Sequence, residues 1–209
     1  MTICFGVLGK EGAYLAADTM IFHENGTYSG HCQKIVPFPS GKVAIATTGY
    51  LRTLNLIEHH KIGLERSFSD GGIESLTCEL RSMVLADGFR SHDEKGPFDQ
   101  YSCMLVGTPT HLYEIGSVFS YTVKQLGQAA AYGAGMDFAL GAWSTCQQIE
   151  NTMPHELQMC MNSRLRLVIS AVFEHCSQTG GRMHIWQSGC EIKQESRLTM
   201  TYEGAMHDR

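Results

Sequence analysis

An α+β architecture, with helices packed on antiparallel sheets, is predicted by three features of the 209-residue sequence. Strand-like and helix-like segments fall in separate runs: strands, two helices, strands, two helices, strands. Segregation of this kind favours α+β folds over a doubly wound parallel sheet, in which the two alternate. The first fifty residues are punctuated by hairpin turns, not by crossover helices. No internal repeat of roughly 20–50 residues and no linker divides the chain, so one domain over residues 1–209 is expected.

The strands open with a β-rich run from Thr2 to Leu8. Gly9-Lys10-Glu11-Gly12 then turns the chain, and Ala13 to Asp18 returns as a buried strand. Glu24-Asn25-Gly26 marks another turn, and two further strands, Gln33 to Phe38 and Lys42 to Thr48, are joined by Pro39-Ser40-Gly41. Tyr50, Leu54, Ile57 and Leu64 fall on helical spacing, as do Ile73, Leu76, Leu80 and Met83. Ser69-Asp70 offers a cap for the second of these helices, which Gly88 or Gly96-Pro97 closes. Strands resume at Tyr101 to Val106, His111 to Ile115 and Phe119 to Val123. The second helix pair runs from about Met136 to Gln148 and from about Pro154 to His175, the latter with Leu157, Met161, Val168 and Val172 on one face. Gly180-Gly181 ends that section, and Arg182 to Gln187 and Arg197 to Tyr202 read as closing strands.

Composition excludes several classes of function. With 43% hydrophobic residues, 18% charged residues and a net charge of −5, the chain lacks the basic face of a nucleic-acid-binding domain. No window approaches the roughly 18 consecutive apolar residues of a membrane span. The N-terminus has no basic region and reaches Lys10-Glu11 too soon for a signal peptide. The eight cysteines are evenly spread and form no compact zinc spacing. They read as small buried residues in a reducing cytoplasm.

Motifs for familiar chemistries are missing too: there is no nucleophile elbow, phosphate loop or zinc-protease helix. Gly133-Ala134-Gly135 is too short to argue for a phosphate, and His59-His60 reads as a solvated pair. What remains is the N-terminus. Thr2 directly follows Met1, and removal of that methionine exposes a threonine carrying both a hydroxyl and a free α-amine. Such a residue is nucleophile and base in one, because the amine can take the hydroxyl proton directly or through a water. The amine's ordinary pKa of about 7.7–8.0 is already near working pH. A buried lysine nearby favours the neutral amine by like-charge repulsion, and an aspartate can hold that lysine in place. Asp18, closing an apolar strand, and Lys34, preceding Ile35-Val36, supply the pair.

These residues resemble a known family. Thr2-Ile3, the Gly12-x-x-x-Ala16-Ala17-Asp18-Thr19 stretch and Lys34-Ile35 are similar to the N-terminal third of proteasome β-subunits and their bacterial relative HslV. Asp18 lies sixteen residues after Thr2, and Lys34 sixteen after Asp18, which are the family's spacings. The resemblance continues through Lys42 to Gly49, weakens over residues 50–125, and returns at Gly133 to Ala142 and at Cys176-x-x-Thr179-Gly180-Gly181. It implies the four-layer αββα sandwich of N-terminal-nucleophile hydrolases. It also implies a self-compartmentalised threonine endopeptidase acting on unfolded polypeptides, with catalytic Thr2, Asp18 and Lys34 and an oxyanion held by backbone N–H groups near Gly49. Two stacked rings of six or seven subunits, fed by an ATP-dependent unfoldase, come with the same resemblance. So do a specificity pocket shaped by Met20, Ile21, Phe22, Cys32 and Ala46, with cleavage after apolar residues. No cofactor is required, but a structural sodium ion on the carbonyl oxygens of Phe173, Cys176 and Thr179 is implied by similarity to HslV.

Two positions depart from the pattern. Ala134 stands where many members have the serine of Gly-Ser-Gly, so either a water replaces its hydroxyl or activity is reduced. Met20 stands where an arginine is frequent, which alters a local ion pair or the pocket rim. Two other readings therefore stay open: a ring-forming homologue with weak or no activity that acts as a binding or structural shell, and an N-terminal-nucleophile amidase acting on a small molecule.

Overall fold

A computed structural model describes residues 2–22, 28–87, 102–154 and 158–189. Three hairpins open the fold: β1 (Ile3–Gly9) with β2 (Gly12–Asp18), β3 (Met20–Phe22) with β4 (Tyr28–His31), and β5 (Ile35–Pro37) with β6 (Ala44–Thr47). Helix α1 (Leu51–Ala86) leads to the antiparallel run β7 (Met104–Gly107), β8 (Leu112–Ile115) and β9 (Tyr121–Lys124). Then come β10 (Ala129–Gly133), α2 (Met136–Thr152), α3 (Met161–His175) and β11 (Met183–Gln187). The strands form a sheet ordered β10-β1-β2-β11, a sheet ordered β5-β6-β7-β8-β9, and the small β3-β4 pair.

Alternation along the strands sorts their side chains into three apolar layers. Ile3, Phe5 and Val7 of β1 face Trp143 of α2 and Leu165, Val168, Ile169 and Val172 of α3. The intervening Cys4 and Leu8, with Ala13, Leu15 and Ala17 of β2, meet Ile35, Ala44, Ala46, Leu105 and Leu112 of the other sheet. On that sheet's far side, Val36, Ile45, Met104, Val106 and Ile115 lie under Leu54, Ile57, Leu64, Leu76, Leu80 and Val84 of α1. Helices, sheet, sheet, helix: this is the expected four-layer αββα sandwich. Every residue of β1 and β2 is buried, which explains why both strands read as continuous apolar runs and do not alternate with polar residues. No helix among the described residues is long and apolar enough to cross a membrane.

Small residues let the sheets approach closely. A Cβ on Gly6 would sit 3.0–3.2 Å from Leu112, Leu15 and Leu105, and one on Gly107 would sit 2.7 Å from the Trp186 ring.

Several boundaries differ from the sequence reading. The two expected helices are both present within α1 and meet at a kink at Gly72 (φ 66°, ψ −152°), a conformation glycine alone adopts without strain. Ser69 does not cap the second half, because its hydroxyl donates back to the Glu65 carbonyl at 2.9 Å and continues the first. Gly88 and Gly96-Pro97 lie outside the described residues, and Asp87 already caps Ala86. Helix α3 starts at Met161, not Pro154. The approach to it is held as a connection by Gln158 Nε2 donating to Glu150 O and Arg164 Nε donating to Met159 O. Leu157 and the strand expected at Arg197 to Tyr202 lie outside the described residues. β10 was not anticipated: Ala129-Ala130-Ala131 has little strand propensity and owes its conformation to pairing with β1.

Substituting Gly107→Ala forces a Cβ against Trp186 between the sheets, and a loss of about 1–3 kcal/mol is expected. The midpoint of urea unfolding measures it.

Candidate active site

The site forms where the first hairpin opens. β1 and β2 pair Cys4 with Ala17, so the chain just before β1 meets the end of β2, and the Ile3 N–H donates to Asp18 Oδ1 at 3.0 Å. The Thr2 hydroxyl donates to the same oxygen at 2.5 Å. Lys34, immediately before β5, brings its ammonium to 2.6 Å from Asp18 Oδ1 and 2.6 Å from the Met20 carbonyl. Oδ2 accepts the Gly180 N–H at 3.3 Å. The Asp18 side chain is fully buried and that of Lys34 is 7% exposed. A charge pair removed from water to this degree is tolerated only when its remaining donors and acceptors are satisfied. Asp18 accomplishes this with four donors. Lys34 uses two of its three N–H groups, leaving one without a protein acceptor among the described residues.

Three donors, one of them a cation, converge on Oδ1 of Asp18. Its role is to orient the hydroxyl and the ammonium on one atom. Two thiols lie near the pair. Burial pushes the Cys4 thiol far above the ordinary cysteine range, with Lys34 countering only part of the effect, and its Sγ donates to Thr47 O at 3.3 Å. Burial also raises Cys32, against a lowering influence of Lys34. Both therefore stay as neutral thiols.

Close backbone approaches frame the site. β10 pairs Gly133 with Ile3, and a Cβ at Gly133 (φ 106°) would come within 2.0 Å of the Thr2 carbonyl oxygen. A Cβ on Gly135, which caps α2, would come within 2.3 Å of Val172 on α3. Ala134 between them is exposed. Gly49 lies between β6 and α1 with φ 99°. The amides flanking it are engaged, Thr48 N–H by Cys103 O and Tyr50 N–H by Ser102 Oγ. The Gly49 N–H makes no hydrogen bond among the described residues and is available to an incoming oxygen.

The residues expected to shape a pocket are placed unevenly. Met20 and Ile21 are half-buried on β3, and Cys32 is half-buried just after β4. Phe22 ends β3, and its side chain lies outside the description. Ala46 is fully buried in the inter-sheet core and offers no accessible surface in the single chain. Of the residues implied for sodium, Phe173 is half-buried on α3, and Cys176 and Thr179 are buried beyond it. The Cys176 carbonyl already accepts both the N–H (3.1 Å) and the hydroxyl (3.0 Å) of Thr179, so a cation there and these bonds are alternatives. Sequence reasoning missed the Gly180 N–H, the Ile3 N–H and the Met20 carbonyl. All three are backbone groups, which no side chain announces; the Gly180-Gly181 pair was the one available signal.

Solved structures share this arrangement of layers. Eukaryotic HslV from Trypanosoma brucei superimposes with a TM-score of 0.64 at 12% identity, covering 88% of this chain and 97% of its own. BPH, a bacterial proteasome homologue from Thiobacillus denitrificans, superimposes with a TM-score of 0.62 at 17% identity, covering 91% of this chain and all of its own. The same protein in complex with epoxomicin gives 0.61 at 17% identity, over 89% of this chain and 97% of its own. The chain has the HslV fold. No family model and no curated protein sequence matches it. At 12–17% identity the likeness is one of fold, and it spans nearly the full length of each solved chain.

Asp18→Asn leaves Lys34 buried without its counter-charge. A destabilisation of about 3–5 kcal/mol is expected, as for other broken buried pairs, and chemical denaturation of variant and parent at neutral pH tests it.

Proposed function

We propose that this chain is a threonine endopeptidase of the proteasome β-subunit and HslV kind, with Thr2 as nucleophile once Met1 is removed. One observation carries the reading: the Thr2 hydroxyl and the Lys34 ammonium share a single buried oxygen of Asp18 at the N-terminal end of β1. A structural ion pair explains Lys34 and Asp18 but gives no reason to seat an N-terminal threonine on them.

The chemistry follows from those positions. The freed α-amine takes the proton of the Thr2 hydroxyl as Oγ bonds to the carbonyl carbon of the scissile peptide. The carbonyl electron pair moves onto oxygen, where the Gly49 N–H can donate to it. Lys34 lowers the cost of negative charge on Oγ and favours the neutral amine by like-charge repulsion. The amine passes its proton to the leaving nitrogen, the C–N bond breaks, and an ester to Thr2 remains. A water, deprotonated by the same amine, attacks the ester carbon and releases the carboxylic acid, and Oγ takes back a proton. No metal takes part. A sodium ion on the carbonyls of Phe173, Cys176 and Thr179 belongs to the proposal only as a structural element. Assembly into stacked rings, supply by an ATP-dependent unfoldase, unfolded polypeptide substrates and a cytoplasmic setting extend the same reading. Met20, Ile21 and Cys32 would present an apolar rim to the residue before the cleaved bond.

A second reading has one observation in its favour. Ala134, between Gly133 on the Thr2 backbone and Gly135 on α3, carries no hydroxyl, which favours a ring-forming shell with weak or absent activity.

Intact mass of the purified protein is expected to lack one methionine, and retention of Met1 in the native host would sink the peptidase reading. With a fluorogenic peptide, Thr2→Ala is expected to reduce cleavage to background, and Lys34→Ala to lower it at least about a hundredfold, as when one transition-state donor is removed. Cleavage that survives Thr2→Ala excludes this nucleophile. An inert parent that still forms rings in negative-stain images selects the shell.

A further inference from the structure

Beyond the residues that touch Asp18, the structure assigns a positioning role to Thr19 and His31: together they clamp residues 180–182 so that the Gly180 N–H stays on the catalytic carboxylate. This inference rests on the peptidase reading for its effect on turnover, and on geometry alone for the clamp. The Thr19 hydroxyl accepts the Arg182 N–H at 2.9 Å and lies 3.1 Å from His31 Nδ1. A hydroxyl that accepts from Arg182 has its own proton left for the imidazole lone pair. The His31 ring in turn covers the loop. A Cβ on Gly181 (φ 77°) would fall 2.6 Å from His31 Cε1, 2.7 Å from Nδ1 and 2.8 Å from the Thr19 hydroxyl. Only a residue without a side chain fits beneath this pair.

The clamp reaches both halves of the site. Residue 180 delivers its N–H to Asp18 Oδ2, two positions before the amide that Thr19 holds. On the other side, His31 pairs in register with Met20, whose carbonyl accepts Lys34, and the Cys32 N–H donates to Thr19 O at 2.8 Å. Thr19 and His31 thus tie β4 and the turn before β11 to the two groups that orient Thr2. Both act through the backbone they hold: Thr19 on the Arg182 N–H, and His31 on the Thr19 hydroxyl and over Gly181.

Four variants of the full-length chain test this. Thr19→Val removes the hydroxyl at constant shape and Thr19→Ser keeps it; His31→Ala removes the ring and His31→Asn keeps an acceptor near the Nδ1 position. Residue-resolved amide exchange is read at Gly180, and kcat and KM are read with a fluorogenic peptide. Thr19→Val and His31→Ala are expected to speed exchange at Gly180 and to lower kcat about three- to tenfold, the rate equivalent of one hydrogen bond, with KM unchanged. Thr19→Ser and His31→Asn are expected to restore both. Unchanged exchange at Gly180 in Thr19→Val and His31→Ala overturns the clamp, whatever the activity. Faster exchange with undiminished kcat overturns the positioning role. An inert parent whose Gly180 exchange still responds supports the clamp and defeats the peptidase reading instead.

Discussion

A single buried carboxylate organises this molecule. Asp18 ends a strand whose every residue is buried, and in that position an unpaired charge would be prohibitive. Its stability depends on four donors from three parts of the chain: Thr2 and Ile3, Lys34, and Gly180. Each brings a different element to the same point: the start of β1, the approach to β5, and the turn before β11. The requirement to satisfy one anion thus assembles the site. Lys34 is similarly constrained and finds its second acceptor in the Met20 carbonyl. Stability and the proposed chemistry draw on the same contacts.

The layers explain why such an arrangement persists. β1 and β2 lie between a helix pair and a second sheet, so the hairpin end that carries Thr2 is excluded from water except at its open edge. Close packing comes from glycine and alanine: Gly6 and Gly107 between the sheets, Gly133 against the Thr2 backbone, and Gly135 against α3. Ala134, between Gly133 and Gly135, is exposed to solvent.

Part of the site was legible because it is local. The turn at Gly9–Gly12 sets the register of β1 on β2, and that register alone places Asp18 beside the residue ahead of Ile3. The apolar runs and helical spacings identified most elements, since burial on one or both faces leaves a periodic trace. The failures share a cause. Ser69 bonds backwards to the Glu65 carbonyl and does not cap, and β10 is a strand only because β1 lies beside it. Neither leaves a periodicity to read.

From the sequence alone came the α+β class, the hairpin opening, and Thr2, Asp18 and Lys34 as a constellation, the last through spacing and resemblance. Tertiary structure decided what those residues do to one another. It put the hydroxyl and the ammonium on one oxygen, buried the charge pair, kept the neighbouring thiols neutral, and brought the Gly180 N–H to Asp18 across a separation of 162 residues. The reason is physical. Hairpin register is set by a few neighbouring residues, but the donors that satisfy a buried carboxylate are backbone and side-chain groups that meet only when distant layers pack.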